Sequence, residues 1–376
     1  EEYAELAGAF AHRKLKLLAE DERGGQRAVS SYLWPQRCGR LLPTPFHAAR
    51  TVALLPFHRR YGVGGRRLGG WRSAPALLAA RSGDAADHAL LLCSLLMGFG
   101  LDAYVCMGTA VSASNTSPVE TDEEGEEESA HTWVMTFNGA YSEQNVTFWE
   151  SLTGARFPLP HLDPSNKKSK PHHFRTLTCA FNHEGLWACK QRRCDVAGLR
   201  LDLGDPALWR PMAQPTLRAT PHELTDVVLH PPTIDADLTA DNIESRLKEL
   251  IEDYRDEKGW ATAWDAALAY TLQPALEAYE GDRLHGRPAG NDLFQSALKR
   301  MIPDGHCFKG FPLSVSLLDS NKIFQKLTET RLSKDVLDSH GDYIRFAIRV
   351  RVFPYPEDLV STWVMIAVRY QPVSTL

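Results

Sequence analysis

Covalent chemistry with a thiol needs three groups within reach of one another: a thiolate, an imidazole that takes its proton, and a third group that orients the imidazole. The thiolate belongs at a helix N-terminus, where free N–H groups and the helix dipole stabilise negative charge. The chain offers a scaffold of this kind. GDAADHALLLCSLLMGFG reads as a helix starting at residue 85, with Asp84 as its N-cap and Gly98 and Gly100 stopping it. His131 lies in HTWVMTF, which reads as a strand. Glu150 lies in NVTFWESL, the strand expected beside it, from which a carboxylate can meet the histidine. Blander readings stand next to these. His131 also reads as a strand histidine packed near Trp133, and Glu150 as a solvated strand residue.

The elements that must hold these residues are legible around them. ALLLCSLLM is apolar on every face, so its helix is a buried central one. LDAYVCMG reads as the strand that follows, which gives the order buried helix, strand, strand with a histidine, strand with a carboxylate. Upstream, residues 3–20 carry apolar positions at helical spacing, and Pro45 to Leu55 reads as a helix with its proline in the first turn. WRSAPALLAARSG reads as a further helix. Residues 156–172 are Pro-rich and basic, hence loop, and residues 174–235 read as irregular with short strands. From Thr239 the pattern changes. NIESRLKELIEDYR is amphipathic, with Ile243, Leu247, Leu250, Ile251 and Tyr254 on one face, and TAWDAALAYTLQPALEAYE and NDLFQSALKRMI read as two more helices. DYIRFAIRVRVF and STWVMIAVRY alternate at period two and read as a β-hairpin. The expected fold is α+β. The expected organisation is leading helices and linker over 1–60, a catalytic-type domain over 61–235, and a helix-rich domain with a terminal hairpin over 236–376.

Composition narrows the function class. The 376 residues are 43% apolar and 24% charged, with a net charge of -5. That is a globular composition without the basic balance of a nucleic-acid binder. The seven cysteines are odd in number and scattered, which suits a reducing compartment better than a disulfide framework. The longest uncharged apolar stretch, Ala89 to Leu101, falls short of the roughly 20 residues that span a bilayer. The chain begins with Glu1 rather than Met, which reads as a fragment or a processed product.

Several motifs carry less weight. Cys179, His183, Cys189 and Cys194 are all metal-ligand types, but their spacing lacks the tight C-x-x-C pair of a strong zinc motif. No metal or cofactor is expected. The acidic run over 120–128 reads as a solvated loop; leading directly into His131, it would either repel acidic peptides such as tubulin tails or recruit basic ones. KKSK over 167–170 reads as linker, and GVGGRRLGG lacks the strand–loop–helix context of a phosphate-binding loop.

GDxxDHALLLCSLLxGFGLDAYVCxG, followed by AHTWVMT and TFWESLTG, resembles the transglutaminase-like, papain-like module. LLAEDERGGQRAVSSYLWP, GRLLPTPFHAAR, PDGHCFKGFPLSVS and IRFAIRVRVFPYPED extend the resemblance to nearly the whole chain, toward the centrosomal protein of 76 kDa family. The resemblance implies a centriolar or ciliary-base location, centriolar or ciliary protein partners, a role in restraining centriole reduplication, and a peptide-binding rather than catalytic use of the cleft. Carried over by position, the nucleophile falls on Ala85, the general base on His131 and the orienting acid on Glu150. A methyl group is no nucleophile, so the expectation is a pseudoenzyme. Ala85 is then either a natural loss or a replaced cysteine, the latter making the natural protein a cysteine peptidase or amide-transferring enzyme. Cys93 cannot substitute. It lies eight residues down the helix, about 12 Å away at 1.5 Å per residue. Cys106, on the following strand, has no role in papain-type geometry. Both read as small core residues.

Overall fold

The structure is a computed structural model describing residues 15–37, 39–59, 70–111, 128–137, 146–159, 172–212, 226–286 and 292–372. Internal contacts divide the chain into two compact units, Glu1–Leu229 and His230–Leu376.

The first unit opens with a hairpin of β1 (Leu18–Glu20) and β2 (Gln26–Ala28). This corrects the helix expected over 3–20 at its C-terminal end; residues 1–14 lie outside the described residues. The reason is local. The Asp21 carboxylate accepts from the N–H groups of Arg23 and Gly25, a turn that returns the chain on itself and competes with helix. The helix α1 (Pro45–Leu54) forms as expected, with Thr44 accepting from the His47 N–H and Pro45 in the first turn. The short α2 (Ala74–Ala80) and the central α3 (Ala85–Gly98) follow.

Helix α3 is the spine of this unit. Every residue from Asp87 to Met97 is buried, as the all-round apolar pattern requires. Each leucine so buried contributes about 1.5–3 kcal/mol over an exposed one. Helices α1 and α2 pack on one side of it, and β3 (Asp102–Val111) and β4 (Glu128–Phe137) on another. Gly98 at its end is set by close approach. A Cβ there would stand 1.7 Å from the Gln36 carbonyl oxygen, because the Gln36 segment hydrogen-bonds to Ser94 of the same helix.

Among the described residues, strands β3 and β4 are central in a seven-stranded antiparallel sheet. The others are β5 (Val146–Trp149), β6 (Arg156–Leu159), β7 (Phe174–Phe181), β8 (Leu186–Cys189) and β9 (Trp209–Pro211), in the order β6-β5-β4-β3-β7-β8-β9. Tyr104, Trp133, Phe148, Phe174 and Trp209 form an aromatic core on it.

The second unit is a three-stranded antiparallel sheet covered by helices. Helices α4 (Ala236–Asp256), α5 (Ala266–His285) and α6 (Asp292–Met301) match the three expected helices. Strand β10 (Cys307–Val315) comes next, then α7 (Ser320–Glu329) and α8 (Arg331–Leu337), then the expected hairpin of β11 (Asp342–Tyr355) and β12 (Leu359–Gln371). The strand order is β10-β12-β11, so β12 is central. It is buried from Leu359 to Val368 because apolar clusters pack on both of its faces. Val360, Val364, Ile366 and Val368 join α4 and α7, and Trp363, Met365 and Ala367 join α5. Strand β10 was not foreseen. Its Gly310 and Pro312 argue against a strand interior, but an edge strand tolerates both.

Candidate functional site

The first turn of α3 is held from three directions. The Asp84 carboxylate accepts from the N–H groups of Ala86 and Asp87 at 3.0 and 3.1 Å, and Asp87 in return accepts from the Asp84 N–H. Asp87 also accepts from the Arg72 N–H at 2.9 Å, which ties in the segment before α2. The ring of His88 lies between the carbonyls of Asp84 and Leu55, at 2.7 and 3.1 Å. Asp84 caps the helix as expected, and Ala85 is its first residue.

Ala85 and His131 line the same cavity, whose volume is about 920 Å³. Trp71, Gly108, Ala130, Thr178 and the Arg192–Arg193 pair also face it. Gly108 pairs with His131 across β3 and β4. A Cβ on Gly108 would fall 1.8 Å from the Thr176 carbonyl oxygen and 3.0 Å from the Trp133 ring. A glycine here lets β7 close against β3 at the cavity wall.

His131 is not a packed histidine alone. Its ring stacks on Trp133, and its Nε2 stands 2.7 Å from Oε2 of Glu150. Glu150 is the residue just after β5 rather than within it. Strand register explains the meeting. With Val134 opposite Trp149, Glu150 comes level with Trp133, and His131 is its diagonal neighbour on the same face. Glu150 is 3% exposed, so the solvated reading is overturned. Burial pushes its pKa up, but the hydrogen bonds from His131 and His173, the charge of His131 and the Leu152 N–H outweigh that and hold it at about 2. It is a carboxylate at any ordinary pH.

Sequence reasoning missed a third member. His173, immediately before β7, places its Nε2 2.7 Å from the same Glu150 oxygen. The available signal was the adjacent pair His172-His173 at the entry to a strand; the Pro-rich stretch before it read as loop. Among the described residues, His131, Glu150 and His173 form a group of three metal-ligand types whose ligand atoms all lie within 4.8 Å of one another. The cysteine-rich group does not assemble in this way. Cys194 donates to Cys189 at 3.1 Å between sulfurs, while Cys179 is buried in β7.

Cys93 and Cys106 are withheld from nucleophilic chemistry by burial. Cys93 and Cys106 are 0% exposed, and burial pushes both thiols well above their ordinary range. The acidic run is described only at Glu128, which accepts from the Thr109 hydroxyl; the rest of that run, like KKSK, lies outside the described residues.

Residues 69–212 match the CEP76 peptidase-like domain, and residues 232–371 match the Centrosomal protein of 76 kDa C-terminal domain. The sequence is 37% identical to the human Centrosomal protein of 76 kDa over 99% of this chain. The chain belongs to the centrosomal protein of 76 kDa family. The human relative is covered over 56% of its length, and the Danio rerio relative, 36% identical over 99% of this chain, over 55%. The chain thus spans about half the length of the curated relatives it matches. The human Protein CC2D2B is 22% identical over 85% of this chain and 20% of its own. A solved Legionella pneumophila LapG (EGTA-treated) aligns with 42% of this chain and 74% of its own at 18% identity and a TM-score of 0.27, too slight a likeness to carry an argument. Membership of the family makes this a centrosomal protein with a peptidase-like domain. Among the described residues no helix is long and apolar enough to cross a membrane.

Proposed function

We propose that the first unit is a catalytically silent peptidase-like module. In it the cleft around Ala85, His131 and Glu150 receives an extended peptide segment of a centriolar or ciliary partner. The observation that carries this reading is the placement of Ala85 and His131 on one cavity, with a methyl group where thiol chemistry requires sulfur. Loss of a nucleophile leaves shape and backbone hydrogen bonding available, and these are what bind an extended chain. The lining mixes Lys16, Arg192 and Arg193 with Asp84, Glu128 and Asp195, which favours a peptide of mixed charge over a purely acidic tubulin tail. Restraint of centriole reduplication is the cellular role that the family resemblance implies for the whole protein.

Ala86→Trp and Ala130→Trp each put bulk into this cavity from a wall position that is not in the core. The expected result, in the full-length family protein replacing the cell's own copy, is loss of a subset of partners and excess centrioles. Unchanged partner recovery and centriole number in both variants would make the cleft a relic.

A second reading is that Ala85 replaces a cysteine and that the natural protein is a cysteine peptidase or amide-transferring enzyme. The intact His131–Glu150 hydrogen bond favours it. Restoring the cysteine tests it.

A further inference from the structure

His131 and Glu150 have places in a thiol mechanism; His173 has none. Its imidazole nonetheless reaches the same carboxylate oxygen, and three side chains from separate parts of the sheet converge there. We propose that His131, Glu150 and His173 are the ligands of one divalent first-row metal ion, with zinc as the cation that fits the donor set.

Two imidazole nitrogens and one carboxylate oxygen form a donor set that zinc takes with a fourth position left open. Zinc stands about 2.1 Å from such atoms, so tetrahedral geometry sets its ligands about 3.4 Å apart. Here each nitrogen–oxygen pair is 2.7 Å apart, and no pair among the three atoms exceeds 4.8 Å. Admitting the ion therefore needs each nitrogen–oxygen pair to open by roughly 0.7 Å, a small side-chain adjustment against the tetrahedral spacing.

The surroundings are built to aim these atoms. Glu150 Oε1 accepts from the Leu152 N–H at 3.1 Å, which fixes the carboxylate and presents Oε2. The ring of His131 stacks on Trp133 and Phe174, and that of His173 packs against Phe157 and Phe174, so neither imidazole swings freely. The His173 side chain is 26% exposed and that of Glu150 4%, so the group is deep at the carboxylate and open to solvent at one histidine. A buried carboxylate is costly unless paired or metal-bound, and its partners here are the commonest metal ligands.

The test is zinc titration of the chelator-stripped chain against a chromophoric competitor, in the parent and in His173→Ala, His173→Gln and Glu150→Gln, with folding checked by circular dichroism. Removing a second-shell partner weakens a site 10–100-fold, so loss of a direct ligand is expected to weaken binding at least about 100-fold. One equivalent of zinc in the parent, lost in all three variants, supports the site. A cobalt-substituted sample should show tetrahedral d–d bands without thiolate charge transfer. No stoichiometric zinc in the parent, unchanged affinity in the folded His173 variants, or thiolate bands from the cysteine-rich group would each overturn it. Ala86→Trp, on the helix side of the cavity, should leave zinc binding intact, so failure of the metal site and failure of the peptide cleft are separately visible.

Discussion

His131 and His173 converge on a single oxygen of Glu150, each nitrogen 2.7 Å away. Both imidazoles therefore turn an Nε2 proton toward the carboxylate, an assignment that follows from the hydrogen-bond partners. In a neutral ring the basic nitrogen is then Nδ1. For His131 that is the nitrogen left to act on a neighbouring thiol, and it bears directly on what a cysteine at residue 85 would do.

Ala85→Cys is expected to give a thiolate at a pH well below the free-thiol value of about 8.5, because the capped start of α3 and the oriented His131 both favour it. The alkylation rate against pH, measured with a chelator present, reads this directly. A depressed value would leave the protein one substitution from a working dyad. An ordinary value would mean that His131 and the helix terminus no longer cooperate, and the enzyme reading of the natural protein would fall.

In the folded chain the buried thiols Cys93, Cys106 and Cys179 should be unreactive. Burial pushes Cys179 up to about 12 and Cys93 and Cys106 higher still. A raised thiol pKa lowers the thiolate fraction at pH 8, so all three should resist iodoacetamide until the protein unfolds, while the exposed Cys307 reacts at once. Peptide mass spectrometry reads the sites. Native labelling of Cys106 would reopen it as a candidate nucleophile.

Asp84→Ala should cost about 0.5–2 kcal/mol by urea unfolding, the usual loss on removing an N-cap. The upper half is expected, because the Ala86 and Asp87 N–H groups lose their acceptor and Asp84 is a buried residue. Asp84→Asn should retain most of the stability. Equal losses in both variants would mean that charge rather than capping matters.

Gly108→Ala should destabilise the first unit by about 1–3 kcal/mol, the range for forcing atoms into a packed site. Its new methyl would meet backbone, the Thr176 carbonyl at 1.8 Å, and backbone yields less readily than a side-chain tip. A neutral substitution here would show that β3 and β7 are not held as close as the structure has them.

The legible parts of this protein are those whose causes are local. Helix α3 was readable because an unbroken apolar run, an N-cap and a following strand leave few alternatives. The His131–Glu150 meeting was readable because adjacent antiparallel strands put diagonal residues in contact. The helix expected over 3–20 failed at its described end because one aspartate makes a turn that apolar spacing does not reveal. Strand β10 was hidden by a glycine and a proline that only an edge position excuses.

The sequence by itself determined the run of buried helix, strand, strand with His131 and strand leading to Glu150, the helix start at Asp84, the absence of sulfur at residue 85, and the likeness that the family comparison bears out. Tertiary structure alone decided three things: that His173 joins Glu150, that Gly108 gives its space to β7, and that β12 is buried on both faces. Each depends on which residues a distant segment brings alongside. Local spacing fixes which way a side chain points along its own strand or helix, but not what meets it there.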